Sequence, residues 1–211
     1  EGEGEGEPAS CGSDVDCAPF GELCNDLAPG SGGSLLLFCG ASGTGGLVGD
    51  SCGGSFLENR EQCQTGLCDG IEFGQCTMAC AQDVDCGGGT YLCTGSGVGN
   101  VPARLCAESC SASAGCTGSG RECGLRLDYI DNVIDLVCEP QTGTAQTGDS
   151  VAAASDCATG FSLVVNGTDR YCSEPCVDNM DCPVGAPNCS DVILNKPVAG
   201  TGTQTISACA R

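Results

Sequence analysis

Twenty-two of the 211 residues are cysteine and none is histidine. Thiols at this density can pair as disulfides, hold a metal or run redox exchange, and their spacing separates the three. Zinc and iron–sulfur sites typically draw ligands from tight C-x2-C pairs, sometimes stretched to C-x4-C, because two thiolates must converge on one ion about 2.3 Å away. This chain has no C-x-C and no C-x2-C. Its shortest gaps are C-x3-C at Cys76 and Cys80, Cys106 and Cys110, and Cys172 and Cys176, with one C-x4-C at Cys63 and Cys68. That spacing disfavours a metal-thiolate site and a thioredoxin-like redox motif. An even total lets every thiol pair, and cysteine above roughly 8–10% marks a disulfide scaffold.

The other residues that could do chemistry are few. Three acid pairs recur: Asp14 with Asp16, Asp83 with Asp85, and Asp178 with Asp181. They are calcium candidates, but a hard cation takes about six to eight oxygens and such a pair supplies two or three. The competing reading is that the acid caps a single helical turn by accepting backbone N–H groups. Asn166-Gly167-Thr168 is a glycosylation candidate at Asn166, and Asn188-Cys189-Ser190 also matches the sequon. With no histidine, a single lysine (Lys196) and no thiol expected to be free, catalysis has little to work with; a carboxylate pair could still hydrolyse a glycoside, but small stapled modules offer no obvious deep cleft. No catalytic residue, cofactor or resident metal is expected, and the chain reads as a non-enzyme.

The elements that position these residues follow from the cysteine intervals. C-x5-C-x6-C, then a longer gap, then C occurs at Cys11, Cys17, Cys24, Cys39 and at Cys80, Cys86, Cys93, Cys106. It returns at Cys110, Cys116, Cys123, Cys138 and at Cys176, Cys182, Cys189, Cys209. The fixed gaps describe a knot, and the variable gap reads as strand, turn, strand, with Gly- or Asp-rich middles and apolar ends such as LLLFC and IDLVC. In the first copy Pro29-Gly30 marks the turn. Within each module three connectivities are open. The favoured one joins first to third and second to fourth: Cys11 with Cys24, Cys17 with Cys39, Cys80 with Cys93, Cys86 with Cys106, Cys110 with Cys123, Cys116 with Cys138, Cys176 with Cys189, and Cys182 with Cys209.

The remaining cysteines lie in two connectors that open on GDS at Gly49 and at Gly148. Aligning them places Cys52 opposite Val151 and Cys68 opposite Ser162. One loss alone would strand a thiol, so the joint loss predicts Cys52 with Cys68, which leaves Cys63 with Cys76 and Cys157 with Cys172. Asn166-Gly167 between FSLVV and TDRYC signals a hairpin. Positions 11, 49, 63 and 80 map to 110, 148, 157 and 176, an offset of about 94 to 99 residues, the mark of a tandem duplication. The expected organisation is an acidic Gly/Glu arm at 1–10 and two repeat units. The first spans 11–106, with modules 11–39 and 80–106 and connector 40–79. The second spans 107–211, with modules 110–138 and 176–209 and connector 139–175. The fold class is small, disulfide-rich and mainly β: tandem knottin-like hairpin modules with little helix.

Two resemblances attach to these motifs. Cys76, Cys80, Asp83, Asp85 and Cys86 read C-x3-C-x2-D-x-D-C, which resembles the centre of the whey acidic protein, or four-disulfide-core, family; Cys172, Cys176, Asp181 and Cys182 match more loosely. That family includes secreted protease inhibitors, but the adjacent cysteine pair that defines its motif is missing here, so inhibition is not carried over. The pattern over residues 49–93 and 148–189 also resembles cysteine-rich repeats of exported and surface-attached bacterial proteins, which implies location rather than activity.

A formal charge of −21, from 28 acids against 7 bases, repels polyanions and excludes nucleic acid. The longest apolar run, Leu35 to Phe38, is far short of the roughly 18 residues needed to span a bilayer, so no transmembrane segment is expected. Residue 1 is Glu and no charged-then-apolar leader follows, as expected of a mature chain. Paired thiols need an oxidising compartment, which places the protein outside the cell or on its surface. The expected function is structural: a rigid, stapled subunit of an extracellular filament, coat or surface layer, self-associating into a homopolymer, with EGEGEGEPAS, which reads as disordered when left alone, as the candidate connector. The alternative is a secreted binding module, a protease inhibitor or adhesin, acting through its variable hairpins on a protein or surface glycan. GLRLDYIDNVIDLV, the third hairpin, is the richest in apolar and aromatic residues and the first place to look for such a contact, although the favoured reading makes it simply the best-buried strand pair.

Overall fold

The computed structural model describes residues 10–11, 13–18, 22–29, 35–52, 62–69, 74–95, 104–112, 115–117 and 120–211. The arm at 1–9 and the turn at Gly30 lie outside the described residues. The chain divides into two compact units, Glu1–Ala107 and Glu108–Arg211.

The first unit opens with one helical turn, α1 (Asp14–Cys17), followed by the antiparallel hairpin β1 (Leu23–Pro29) and β2 (Leu35–Gly40), with Cys24 opposite Cys39. Its connector forms a three-stranded antiparallel sheet in which β5 (Gly74–Thr77) lies between β3 (Ser51–Cys52) and β4 (Leu67–Asp69). A 3-10 turn at Asp83–Cys86 precedes the paired strands β6 (Tyr91–Gly95) and β7 (Arg104–Glu108). The second unit is built from three antiparallel hairpins. These are β8 (Arg121–Asp128) with β9 (Val133–Pro140), β10 (Ser162–Val165) with β11 (Asp169–Cys172), and β12 (Asn188–Asn195) with β13 (Thr203–Ala210). The protein is mainly β, in tandem small hairpin modules.

Sulfur occupies the place of an aliphatic core. Cys17, Cys24, Leu37, Leu67, Ala79 and Leu105 form one buried cluster of the first unit, and Cys52, Cys63, Cys68 and Cys76 form another with no other residue type in it. Bridges join Cys11–Cys24, Cys17–Cys39, Cys52–Cys68, Cys63–Cys76, Cys80–Cys93 and Cys86–Cys106 in this unit. The second unit carries Cys110–Cys123, Cys116–Cys138, Cys157–Cys172, Cys176–Cys189 and Cys182–Cys209. Chains this poor in large apolar residues need covalent staples, because the area they bury does not offset the entropy of ordering the backbone.

Each module repeats one backbone device. The N–H of its first cysteine donates to the carbonyl two residues before its last: Cys11 to Leu37 (2.8 Å), Cys80 to Arg104 (3.1 Å), Cys110 to Leu136 (3.1 Å) and Cys176 to Ser207 (3.1 Å). The entering chain thereby adds to the outer edge of the hairpin's second strand and satisfies groups that an edge would leave open.

The two connectors share a second set of bonds. The N–H of Gly49 donates to the Cys76 carbonyl and that of Gly148 to the Cys172 carbonyl, each at 2.8 Å. Cys76 N–H returns to Asp50 O, as Cys172 N–H does to Asp149 O, at 2.8 and 2.9 Å. Both glycines have a positive φ, 94° and 92°. A Cβ at Gly49 would strike the Tyr91 hydroxyl, and one at Gly148 would lie 2.6 Å from the backbone of Gly185. The GDS triplets are thus turns that only glycine fits.

Buried hydroxyls then tie each connector to the module that follows. Thr65 Oγ1 donates to Thr77 O, and Thr77 Oγ1 donates to Cys106 O at 2.7 Å. In the second unit Thr159 Oγ1 donates to Ser173 O and Ser173 Oγ to Cys209 O, each at 2.7 Å. The same relay of hydroxyl to carbonyl to hydroxyl appears in both units, built on Thr-Thr in one and Thr-Ser in the other.

Candidate binding surface

The acid pairs are spent on backbone N–H groups. Asp85 Oδ2 accepts from Ala81 N (2.9 Å) and Gln82 N (3.1 Å), and Asp181 Oδ2 accepts from Val177 N (2.7 Å) and Asp178 N (3.2 Å). Asp16 Oδ2 accepts from Ser13 N (3.0 Å), and the side chain of Asp14 lies outside the described residues. Asp178 Oδ1 accepts from Met180 N (2.7 Å). Asp83 Oδ1 takes the N–H of Cys93 at 2.8 Å, and Asn179 Oδ1 takes that of Cys189 at 2.7 Å, so the same module position locks the turn onto the third cysteine. Two further caps had no pairing signal in the sequence: Asp50 Oδ2 on Leu47 N (2.8 Å) and Asp149 Oδ2 on Gln146 N (2.9 Å).

These carboxylates act as caps, and two measurements check that role. Asp181→Ala lowers stability by about 1 kcal/mol, the usual cost of losing such a cap. Chelator at millimolar concentration leaves the Tm unchanged, whereas a calcium site that stabilised the fold would make the Tm fall.

The glycosylation candidate Asn166 is exposed, with φ 53° at the β10–β11 turn, and Gly167 follows at φ 79°. Asn188 sits at the start of β12, where its Nδ2 donates to Ala210 O at 3.4 Å.

The third hairpin divides its apolar residues between two tasks. Ile134 (4% exposed) and Val137 (0%) are buried, whereas Leu127, Tyr129 and Ile130 at the tip are 43%, 62% and 47% exposed. The tip is shaped from within, because the Asp128 carboxylate, 1% exposed, accepts from Ile130 N (2.7 Å) and Asp131 N (3.0 Å). An Asp that binds the chain two and three residues on makes a defined turn of what would be a loose loop.

That tip is also fastened to the tip of the fourth hairpin. Asn132 Oδ1 accepts from Val198 N at 2.9 Å, and Asn132 Nδ2 donates to Thr201 Oγ1 at 2.7 Å. One turn lower, Gln204 presents its amide to the outer edge of β9: Ile134 N donates to Gln204 Oε1 (2.8 Å), and Gln204 Nε2 donates to Ile134 O (2.6 Å). The side-chain amide reproduces what a neighbouring strand would offer. Four bonds between residues 66 to 70 apart thus weld two hairpin tips into one surface. It carries Leu127, Tyr129, Ile130 and the 41%-exposed Val198, with the acid Asp131 beside Ile130.

At the base of the same hairpin lies a buried ion pair. Glu108, 3% exposed, holds Arg121 Nη1 on Oε2 at 2.8 Å, while its Oε1 accepts from Thr117 N (3.1 Å) and Thr117 Oγ1 (2.7 Å). Arg121 Nη2 also donates to Cys138 O. In a chain of 7 cations, this one fixes the root of β8 and β9. Arg211 does similar work at the last residue of the chain, with its guanidinium 4.8 Å from the Tyr171 ring centre and Nη2 donating to Gly148 O and Ser150 Oγ.

No family model matches the chain, and no solved structure matches it. Among curated proteins it is similar to disintegrin and metalloproteinase domain-containing protein 22 of Xenopus laevis, 28% identical over 130 residues. The match covers 58% of this chain and 13% of that relative, so the chain spans a small part of its length. Dense disulfides and this likeness are consistent with an extracellular or surface location. Among the described residues no helix is long and apolar enough to cross a membrane.

Proposed function

We propose that the chain is a non-enzymatic extracellular binding module whose contact surface is the welded tip of the second unit. The single observation behind this reading is the hydrogen-bonded joining of the two tips, which holds Leu127, Tyr129, Ile130 and Val198 in solvent on a fixed frame. These apolar side chains leave 41–62% of their surface in water, and the turn beneath them is held by the buried Asp128 carboxylate, so little conformational entropy is lost on binding. A surface of this kind, an aromatic and aliphatic centre on a strongly acidic protein, fits a protein partner with an apolar centre and a cationic rim.

Of the two domain types named in the relative, disintegrin and metalloproteinase, the first suits this chain better. A sequence without histidine, in which every cysteine is bridged, leaves a catalytic metal only carboxylates. The reading as a filament subunit rests on acidity, stapling and tandem duplication, with its candidate connector outside the described residues, whereas the binding reading has the geometry of the tip to support it.

The test is saturation binding of the fluorescently labelled chain to intact cells and to extracellular matrix. Wild type binds saturably and is displaced by unlabelled chain. Tyr129→Ser with Ile130→Ser weakens binding about tenfold or more, as loss of a central aromatic anchor does, with circular dichroism unchanged. Equal binding by this variant and wild type on every surface contradicts the reading.

A further inference from the structure

The fourth hairpin has a second feature, at the opposite edge from the one Cys176 covers. Lys196 N donates to Gly202 O at 3.1 Å, which extends the β12–β13 ladder by one pair and fixes its alternation. Even-numbered residues of β12 bond inward to β13, so Cys189, Asp191, Ile193 and Asn195 direct their N–H and C=O outward. The outward bonds of β13 agree with this: Ser207 O accepts from Cys176 N, and Cys209 N donates to Glu174 O. On β12 the outward N–H of Cys189 is taken by Asn179 Oδ1. At the other end residue 197 is proline and has no N–H to offer. Between these two stops, nothing among the described residues bonds to the outward backbone groups of Asp191, Ile193 and Asn195. Ile193, at the centre of this window, is 69% exposed.

We propose that this edge pairs with the same edge of a second copy, antiparallel and with the two-fold axis through Ile193. That register sets Ile193 against Ile193, Asp191 against Asn195, Val192 against Leu194 and Ser190 against Lys196. The pairs 193/193, 191/195 and 195/191 each exchange two backbone bonds. No acid faces an acid, although the chain carries 28 of them. Any other antiparallel register loses at least one of the three pairs, because it brings Cys189 or Pro197 into the ladder. Val192 and Leu194 already pack on the cluster of Phe161, Ile206 and Ala208, and the second copy would extend that face. The contact is isologous, so it closes a dimer and does not propagate into a filament. It involves none of the tip residues and is independent of the binding reading above.

Sedimentation equilibrium of the full chain tests it. A reversible dimer is expected, strengthened between 0.05 and 0.5 M salt, because screening relieves the repulsion of two chains at −21 each. Ile193→Pro removes an outward N–H without touching the inward ladder and yields monomer. Asn195→Asp places acid against acid at two positions and weakens the dimer at least about fivefold. Adding Asp191→Asn to Asn195→Asp restores association at the wild-type net charge, since the unlike pairs re-form in swapped order. Non-reducing peptide maps identical to wild type show that each variant is folded. A chain that stays monomeric up to millimolar concentration at high salt overturns the proposal. So does a dimer that survives Ile193→Pro, one that is lost instead on deleting residues 1–9, or a swap no better than Asn195→Asp alone.

Discussion

Glu108→Ala destabilises the second unit by about 3–5 kcal/mol, far more than loss of an exposed salt bridge, because it leaves a buried guanidinium without its counter-charge. The carboxylate is 4% exposed and its partner Arg121 is 11% exposed, so water cannot take over the lost interaction. Thr117 loses its acceptor for both N–H and hydroxyl at the same time, but it is exposed, so water takes up those bonds and the cost stays with the guanidinium. One control separates charge from shape. Replacing Glu108 and Arg121 together by leucine recovers most of the loss, since removing both charges abolishes the imbalance. Denaturant unfolding followed by the fluorescence of Tyr129 and Tyr171 reads the effect. A loss below about 1 kcal/mol for Glu108→Ala would mean that the ion pair is solvated.

The second large effect is a contrast between two bridges of the first connector. Replacing Cys63 and Cys76 by alanine costs about 3–5 kcal/mol and scrambles the neighbouring pairs on oxidative folding, whereas replacing Cys52 and Cys68 costs about 2 kcal/mol and leaves the other bridges intact. Loop length does not produce the difference, because the separations are 13 and 16 residues and loop-closure entropy changes only slowly with length. The difference lies in what each bridge holds. Cys63 lies in a parallel bridge with Gly46, and Cys157 lies in the equivalent one with Ala145; their partners Cys76 and Cys172 receive the N–H groups of Gly49 and Gly148. Cys52–Cys68 has no counterpart in the second unit. There the backbone alone keeps the register, with Val151 N donating to Arg170 O at 3.0 Å where Cys52 pairs with Gly74 in the first unit. Thermal unfolding of both double variants, with peptide maps of the refolded material, decides the matter. Equal losses would show that the Cys52–Cys68 bridge is as deeply built into the frame as Cys63–Cys76.

The sequence makes the hairpin modules legible because a disulfide framework writes its geometry into fixed gaps. Cys, five residues, Cys, six residues, Cys is a rigid instruction, and the apolar ends of LLLFC and IDLVC mark the second strands β2 and β9. Asn166-Gly167 signals the β10–β11 turn in the same way, by needing positive φ at both positions. Local signals of this kind stop at the hairpin. The weld between Asn132 and Val198, the Gln204 amide on the β9 edge and the Glu108–Arg121 pair join residues by side chains, with no periodicity to announce them. GLRLDYIDNVIDLV could be read as buried strands or as an exposed contact, and the structure divides it: Ile134 and Val137 go inward, Tyr129 and Ile130 outward. The hydroxyl relays of Thr65 with Thr77 and Thr159 with Ser173 were open to view in a comparison of the two connectors, at aligned positions bearing Thr-Thr and Thr-Ser. Their meaning needed the fold, since Ser and Thr at such positions are otherwise ordinary turn residues.

The frame that holds the tip rests on one claim above the others: within each module the first cysteine bonds the third and the second bonds the fourth. Non-reducing proteolysis with mass spectrometry of the linked peptides measures this directly. The account predicts peptides linking Cys110 to Cys123, Cys116 to Cys138, Cys176 to Cys189 and Cys182 to Cys209 in the second unit, with Cys157 joined to Cys172. Linkage of Cys110 to Cys116, or of Cys182 to Cys189, would contradict it, because the entering strand would no longer be stapled to the hairpin and the tip would lose its support.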